Sequence, residues 1–154
     1  MDNKRGMLVE SKKGQMKLSF GMIFSIILII VFLFAAFYAI TKFISFQKEI
    51  KYRQFSEDLN SDVEKLWKST QGSNKVSYNL PTGTKEICVT NGDFENVYIH
   101  KKRGIVSYQI DHLDEEKTLE GKSSLCFEVL DGKVEFGLKK LSNEAEVTIV
   151  KTNA

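Results

Sequence analysis

The chain has 154 residues and a formal net charge of +2, which leaves room for one modest domain. The charge is uneven: the first 17 residues hold five basic and two acidic side chains, a net +3, so the rest of the chain carries −1. A protein that binds nucleic acid presents a basic face to the phosphates. The near-neutral remainder argues against that class, and we expect no nucleic-acid partner.

An uncharged, apolar stretch, residues 18–41, follows the basic tail and is bracketed by Lys17 and Lys42. As an α-helix it would be ~36 Å long at ~1.5 Å per residue, while the hydrocarbon of a bilayer is roughly 30 Å thick. A buried core helix is disfavoured, because the roughly 110 remaining residues could hardly surround it. The run is also too long for a cleaved secretory signal. We predict a retained single transmembrane helix whose partner is the lipid bilayer.

Basic residues on either side of this stretch predict its orientation. Five precede it and four follow it closely: Lys4, Arg5, Lys12, Lys13 and Lys17 before, and Lys42, Lys48, Lys51 and Arg53 after. The excess is on the N-terminal side. We therefore expect residues 1–17 to be a cytoplasmic tail or leader and the C-terminal domain to lie outside the cell membrane.

The apolar pattern changes after Lys42 but does not stop. Apolar residues recur at steps of three and four, which predicts an amphipathic helix over residues 42–72 that continues the span. The whole helix would run from about Leu18 to Ser69, with Gly72 as its C-cap. The apolar positions are Phe43, Phe46, Ile50, Phe55, Leu59, Val63, Leu66 and Trp67.

From Val76 the period switches to two, which is typical of β-strands, and the predicted β domain covers residues 73–154. Residues 101–104 predict one hairpin loop, and Asp131-Gly132 gives the strongest hairpin signal in the chain; residues 111–123 read as a polar, acidic loop. The sequence predicts six short strands, 76–80, 86–90, 96–100, 105–110, 124–130 and 133–140, and allows a seventh at 146–150.

These elements predict an α+β fold. An antiparallel sheet buries one face and needs a partner for it, and the striped half of the long helix is the one candidate of sufficient length. We expect a long N-terminal helix, transmembrane in its first half and amphipathic in its second, packed on a small antiparallel β-sheet in residues 73–154. The expected contacts join Phe55, Leu59, Val63, Leu66 and Trp67 to Ile87, Val89, Val97, Ile99, Phe127 and Val129.

The two cysteines, Cys88 and Cys126, lie in apolar, strand-like segments. Outside the cytoplasm they could form a disulfide, worth ~3–4 kcal/mol by chain entropy. Two buried free thiols are the alternative. The sequence leaves both open.

No motif for catalysis, for a cofactor or for a metal centre stands out, and we expect no enzyme activity. The acidic run Asp111–Glu116 reads as a loose divalent-cation loop or, more simply, as a solvated loop. The basic run Lys101–Gly104 reads as a polar hairpin tip, with contact to an acidic polymer or a lipid head group as the alternative.

The junction Lys12-Lys13-Gly14-Gln15, followed by a few polar residues and the apolar helix, resembles the processing site of archaeal type IV pilin-like proteins with class III signal peptides. The order of parts along the whole chain also resembles uncharacterised archaeal single-pass membrane proteins. The resemblance implies cleavage between Gly14 and Gln15 by a prepilin-type peptidase. The fifth residue after that point is Ser19, where those families often have Glu.

The resemblance implies a structural function, as a pilin-like or pseudopilin-like subunit of a surface filament or a secretion-type assembly. Its protein partners would then be copies of itself or related subunits. The alternative is a monomeric binding module or accessory subunit outside the cytoplasm, which the helix only tethers to the membrane.

Overall fold

The computed structural model describes residues 20–152. The chain divides into two units, Met1–Lys42 and Phe43–Ala154, and the second is called the folded unit below. The first helix, α1, occupies Phe20–Trp67. Its predicted start at Leu18 lies outside the described residues, and it ends just before the predicted Ser69.

Seven strands and one short helix follow α1, and all the strand pairs are antiparallel. The α+β prediction is therefore confirmed. The strands are divided between two sheets, where the sequence suggested one: a three-stranded sheet of order β1-β6-β7 and a four-stranded sheet of order β4-β3-β2-β5. The elements are β1 Gly72–Asn79, β2 Thr84–Thr90, β3 Val97–Lys101, β4 Ile105–Tyr108, α2 Glu115–Leu119, β5 Ser124–Glu128, β6 Lys133–Lys140 and β7 Thr148–Val150.

The two strands on either side of the turn at Asp131-Gly132 belong to different sheets. Both residues have positive φ, 51° and 74°, as a two-residue hairpin turn requires, and Leu130 and Lys133 exchange backbone hydrogen bonds of 2.9 and 2.8 Å. The local prediction of a tight turn is thus confirmed. The strands on its two sides nevertheless separate, because β5 pairs with β2 whereas β6 pairs with β1 and β7.

The core of the folded unit contains residues from α1 and from both sheets. Phe55 of α1 meets Tyr78 of β1 edge-on, with ring centroids 5.2 Å apart, and Phe127 of β5 meets Phe136 of β6 at 5.1 Å. The residues named in the expected contacts all belong to this core, with Leu66, Trp67 and Val129 partly buried against it. The sequence analysis did not single out several fully buried members: Val134, Phe136, Leu138, Ile110, Val147 and Ile149.

Burial along α1 begins later than the apolar pattern does. Phe43, Phe46 and Ile50 are 59%, 59% and 47% exposed, although they belong to the predicted stripe. Tyr52 is the first buried residue of the helix. Residues 43–51 of α1 are all exposed, so no strand covers them. Periodicity alone therefore overestimated the length of the packed helix face.

Lys140 of β6 binds the end of α1. Its ammonium group donates to the carbonyl oxygens of Trp67 and Ser69, the second at 2.9 Å. The last carbonyls of a helix lack internal partners and attract a cation. The expectation that Gly72 caps the helix is wrong, because Gly72 is the first residue of β1 and pairs with Lys140.

Truncation of Leu59 tests the packing of α1. Leu59 is fully buried, so Leu59→Ala should lower the free energy of unfolding by about 2–5 kcal/mol. The matched control is Ile50→Ala on the exposed part of the same helix, which should change it by less than about 1 kcal/mol. Urea titration of the full chain in uncharged detergent, followed by the fluorescence of the single tryptophan, measures both. Equal losses would contradict the proposed packing.

Tyr78 connects β1 to α1 by a hydrogen bond. Its hydroxyl donates to the Asp62 carboxylate at 2.9 Å. Burial, and then the hydrogen bond to Asp62, raise the pKa of Tyr78 far above its usual range. In an unfolded chain a tyrosine titrates near ~10. The folded protein therefore keeps this proton at pH values where the unfolded chain has released it.

A pH titration should detect this difference. Below pH ~10 the contribution of Tyr78 is fully present, and above it the contribution is lost as pH rises. Between pH 9 and pH 11 the wild-type chain should lose about 1.4 kcal/mol more stability than Tyr78→Phe does. Urea titrations at several pH values measure this. An identical slope in Tyr78→Phe would refute the prediction.

Candidate functional site

The apolar part of α1 is the first candidate. Among the described residues, α1 is the one helix long and apolar enough to cross a membrane, and its large apolar side chains from Phe20 to Ile40 are exposed. Two hydroxyls of this part of the helix bond back to its backbone: Ser25 donates to Gly21 O at 2.9 Å, and Thr41 donates to Tyr38 O at 2.8 Å. Hydroxyls satisfied in this way are compatible with a lipid environment.

The predicted processing site lies outside the described residues. Gly14 and Gln15 both precede Phe20, as do Lys17 and Ser19. Cleavage at this point stays a prediction.

The two cysteines lie directly opposite each other on the paired strands β2 and β5. Their sulfur atoms are 2.07 Å apart and form a disulfide, which agrees with the first of the two alternatives. The Glu86 carboxylate lies within 4.8 Å of both sulfurs. A metal would need the cysteines as thiolates, so the disulfide form leaves Glu86 without the two sulfur ligands that a metal site here requires.

The state of the cysteines can be measured directly. The full chain, denatured without reductant and treated with iodoacetamide, should gain no mass, and after reduction it should gain two carbamidomethyl groups. Reduction should also lower the free energy of unfolding by ~3–4 kcal/mol. The double variant Cys88→Ala/Cys126→Ala is the control, since it should gain no mass either before or after reduction. Modification of both cysteines before reduction would support the free-thiol alternative.

The acidic run Asp111–Glu116 is used for structure. Asp114 is the N-cap of α2, and its carboxylate accepts from Lys117 N at 2.9 Å. Glu115 accepts from the buried Asn96 side chain at 2.9 Å and from Gly92 N at 3.2 Å. The sequence analysis treated this region as a loop because α2 is too short for periodicity to reveal. These contacts favour neither the cation loop nor a merely solvated loop.

A basic groove is the second candidate. We use this name for the open surface, about 960 Å³ in volume, between the first turns of the helix in the folded unit and the tip of the β3–β4 hairpin. Five cations and one carboxylate line it. The charged residues are Lys48, Arg53, Lys101, Lys102, Arg103 and Glu49, and the others are Ser45, Tyr52, Thr82, Gly83, Val106 and Tyr108.

The sequence analysis identified only one wall of this groove, the hairpin tip Lys101–Gly104. From the sequence alone, Lys48 and Arg53 were counted only among the basic residues that predict the orientation of the span. Packing of the sheet on α1 decides which helix face the tip meets, and a single sequence gives no signal of that packing geometry. The basic groove was therefore missed as a unit.

Comparisons with protein families, with curated proteins and with solved structures give no match to this chain. The functional assignment therefore rests on its own residues.

Proposed function

We propose that this protein is a single-pass membrane protein with a structural function, a pilin-like or pseudopilin-like subunit of a surface filament or a secretion-type assembly. The observation that carries the proposal is the division of α1. Its N-terminal part is apolar and exposed up to Ile40, whereas its C-terminal part buries Tyr52, Phe55, Leu59 and Val63 in the folded unit. An apolar segment of this length needs lipid or other helices around it.

The orientation in this proposal places the tail in the cytoplasm and the folded unit outside the cell membrane. The excess of basic residues before the span supports it. The disulfide between Cys88 and Cys126 supports it as well, because disulfides persist in oxidising compartments outside the cytoplasm.

The exposed surface of the span suits assembly with copies of itself or with related subunits. From Ile26 to Phe34 every side chain is a bulky apolar one. Such a surface packs by side-chain contact, in lipid before assembly and against neighbouring helices afterwards. Release into a filament would follow removal of the basic leader by a prepilin-type peptidase between Gly14 and Gln15.

A second candidate function is a monomeric, membrane-tethered binding module or accessory subunit. The basic groove favours it, because it is an open polar surface on the folded unit. In this alternative the leader is retained and the span serves only as an anchor.

Processing separates the two candidates. The pilin-like proposal expects protein purified from native membranes to begin at Gln15, as measured by intact mass and by the N-terminal residue. Gly14→Val should abolish that product. Gly6→Val is the matched control, because Gly6 also follows a basic residue, and it should leave processing unchanged. A wild-type chain that still carries Lys4 to Lys13 would overturn this proposal.

Replacement of the span then tests assembly itself. A chain in which residues 20–40 are exchanged for an unrelated apolar helix of equal length should still insert in the membrane. In the pilin-like proposal it should no longer co-sediment with sheared surface filaments. In the tether alternative the exchange should have no effect.

A further inference from the structure

The basic groove is held in shape by hydrogen bonds on its floor. Lys102 N donates to Gly83 O at 2.8 Å, which ties the hairpin tip to the turn before β2. Thr84 donates its hydroxyl proton to the Pro81 carbonyl at 2.8 Å. Tyr52 must then be the donor in its 3.0 Å bond to the Thr84 hydroxyl. These contacts fix the backbone of the tip near the helix, which brings the tip's basic residues to the same groove as Lys48 and Arg53.

Most cations of the groove have no acidic partner among the residues that the structure describes. Within residues 20–152, Lys48, Arg53, Lys102 and Arg103 form no ion pair, and Glu49 is the one carboxylate of the groove. Lys101 lies over the Tyr52 ring, 5.3 Å from its centre. This excess of positive charge over a small area attracts phosphate groups, and lysine and arginine side chains supply the donors that bind them.

Exposed apolar side chains occur on the same turns of α1 as the helix wall of the groove, at positions that do not line the groove. Phe43, Ile44, Phe46 and Ile50 are all exposed, on the same helical turns as Lys48. Ser45, on the groove, is less than one turn along α1 from Lys42, and a turn is ~5.4 Å long. Apolar side chains interleaved with cations are typical of a segment at the boundary between hydrocarbon and head groups.

We propose that the basic groove binds the phosphate groups of anionic lipids in the leaflet that faces the folded unit. In this proposal the exposed apolar residues contact the acyl chains near the head groups, and the basic residues of the hairpin tip bind the phosphates. Anionic lipids attract each nearby lysine or arginine. The interaction would set the height and tilt of the folded unit at the membrane. It rests on the membrane-span part of the proposed function but not on processing or assembly.

Hydrogen exchange on the full chain in nanodiscs tests this proposal. One set of discs contains phosphatidylcholine alone, and the other contains about one third phosphatidylglycerol. The amides of residues 101–108 should exchange at least about threefold more slowly in the anionic discs at low salt. The difference should disappear at roughly 0.5 M salt, because salt screens exposed charges. Exchange within β6 should be the same in both sets.

Two variants locate the effect. Lys101→Gln/Lys102→Gln/Arg103→Gln should exchange equally in both kinds of disc, and so should Lys48→Gln/Arg53→Gln on the opposite wall. The second variant keeps the test valid should the first fail to fold. The matched control is Lys85→Gln/Lys133→Gln/Lys139→Gln, which removes three exposed lysines outside the groove and should keep the wild-type difference.

Three results would overturn the proposal. Equal exchange of the wild-type hairpin in both kinds of disc would show that anionic lipid does not engage the groove, while leaving the span intact. The same protection in phosphatidylcholine discs with added inorganic phosphate would identify a site for soluble phosphate instead. Failure of the chain to enter either kind of disc would overturn the membrane span itself.

Discussion

Burial of one helical stripe is the constraint on which the folded unit depends. Tyr52, Phe55, Leu59 and Val63 occupy a core shared with two separate sheets. Neither sheet alone has a covered inner face, because an antiparallel sheet needs a layer packed on it. The helix contacts the three-stranded sheet through Phe55 and Tyr78 and the four-stranded sheet through Tyr52 and Thr84. Loss of this stripe would expose both inner faces to water.

A unit of this size buries only a small hydrophobic core. Specific connections among its strands and α1 add to the stability that the core provides. The disulfide joins β2 to β5 within the four-stranded sheet. Lys140 joins β6 to the end of α1, and Tyr78 joins β1 to Asp62 of the same helix. The buried Asn96 side chain bonds the backbone of Ile110 in both directions, at 2.9 and 2.8 Å. The hydrogen bonds among these connections pair polar groups that burial would otherwise leave unsatisfied.

The functional surfaces follow from where this packing stops. Before Tyr52 the helix has no sheet to cover it, so its apolar residues remain available to lipid or to neighbouring helices. At the same level the hairpin tip brings further cations beside Lys48 and Arg53. A change from apolar to basic surface over a few helical turns suits a protein that stands at a membrane interface.

The sequence by itself determined the elements that repeat regularly over many residues. The uncharged run, the stripe of α1 and most strand positions follow from periodicity, because burial imposes the same period on the chain and on the structure. The short helix α2, the parting of β5 and β6 into two sheets, and the cap from Lys140 were decided only by tertiary structure. Each depends on residues far apart in the chain or on too few residues to show a period. The basic groove belongs to this second group, since packing of the four-stranded sheet against α1 brings its two walls together.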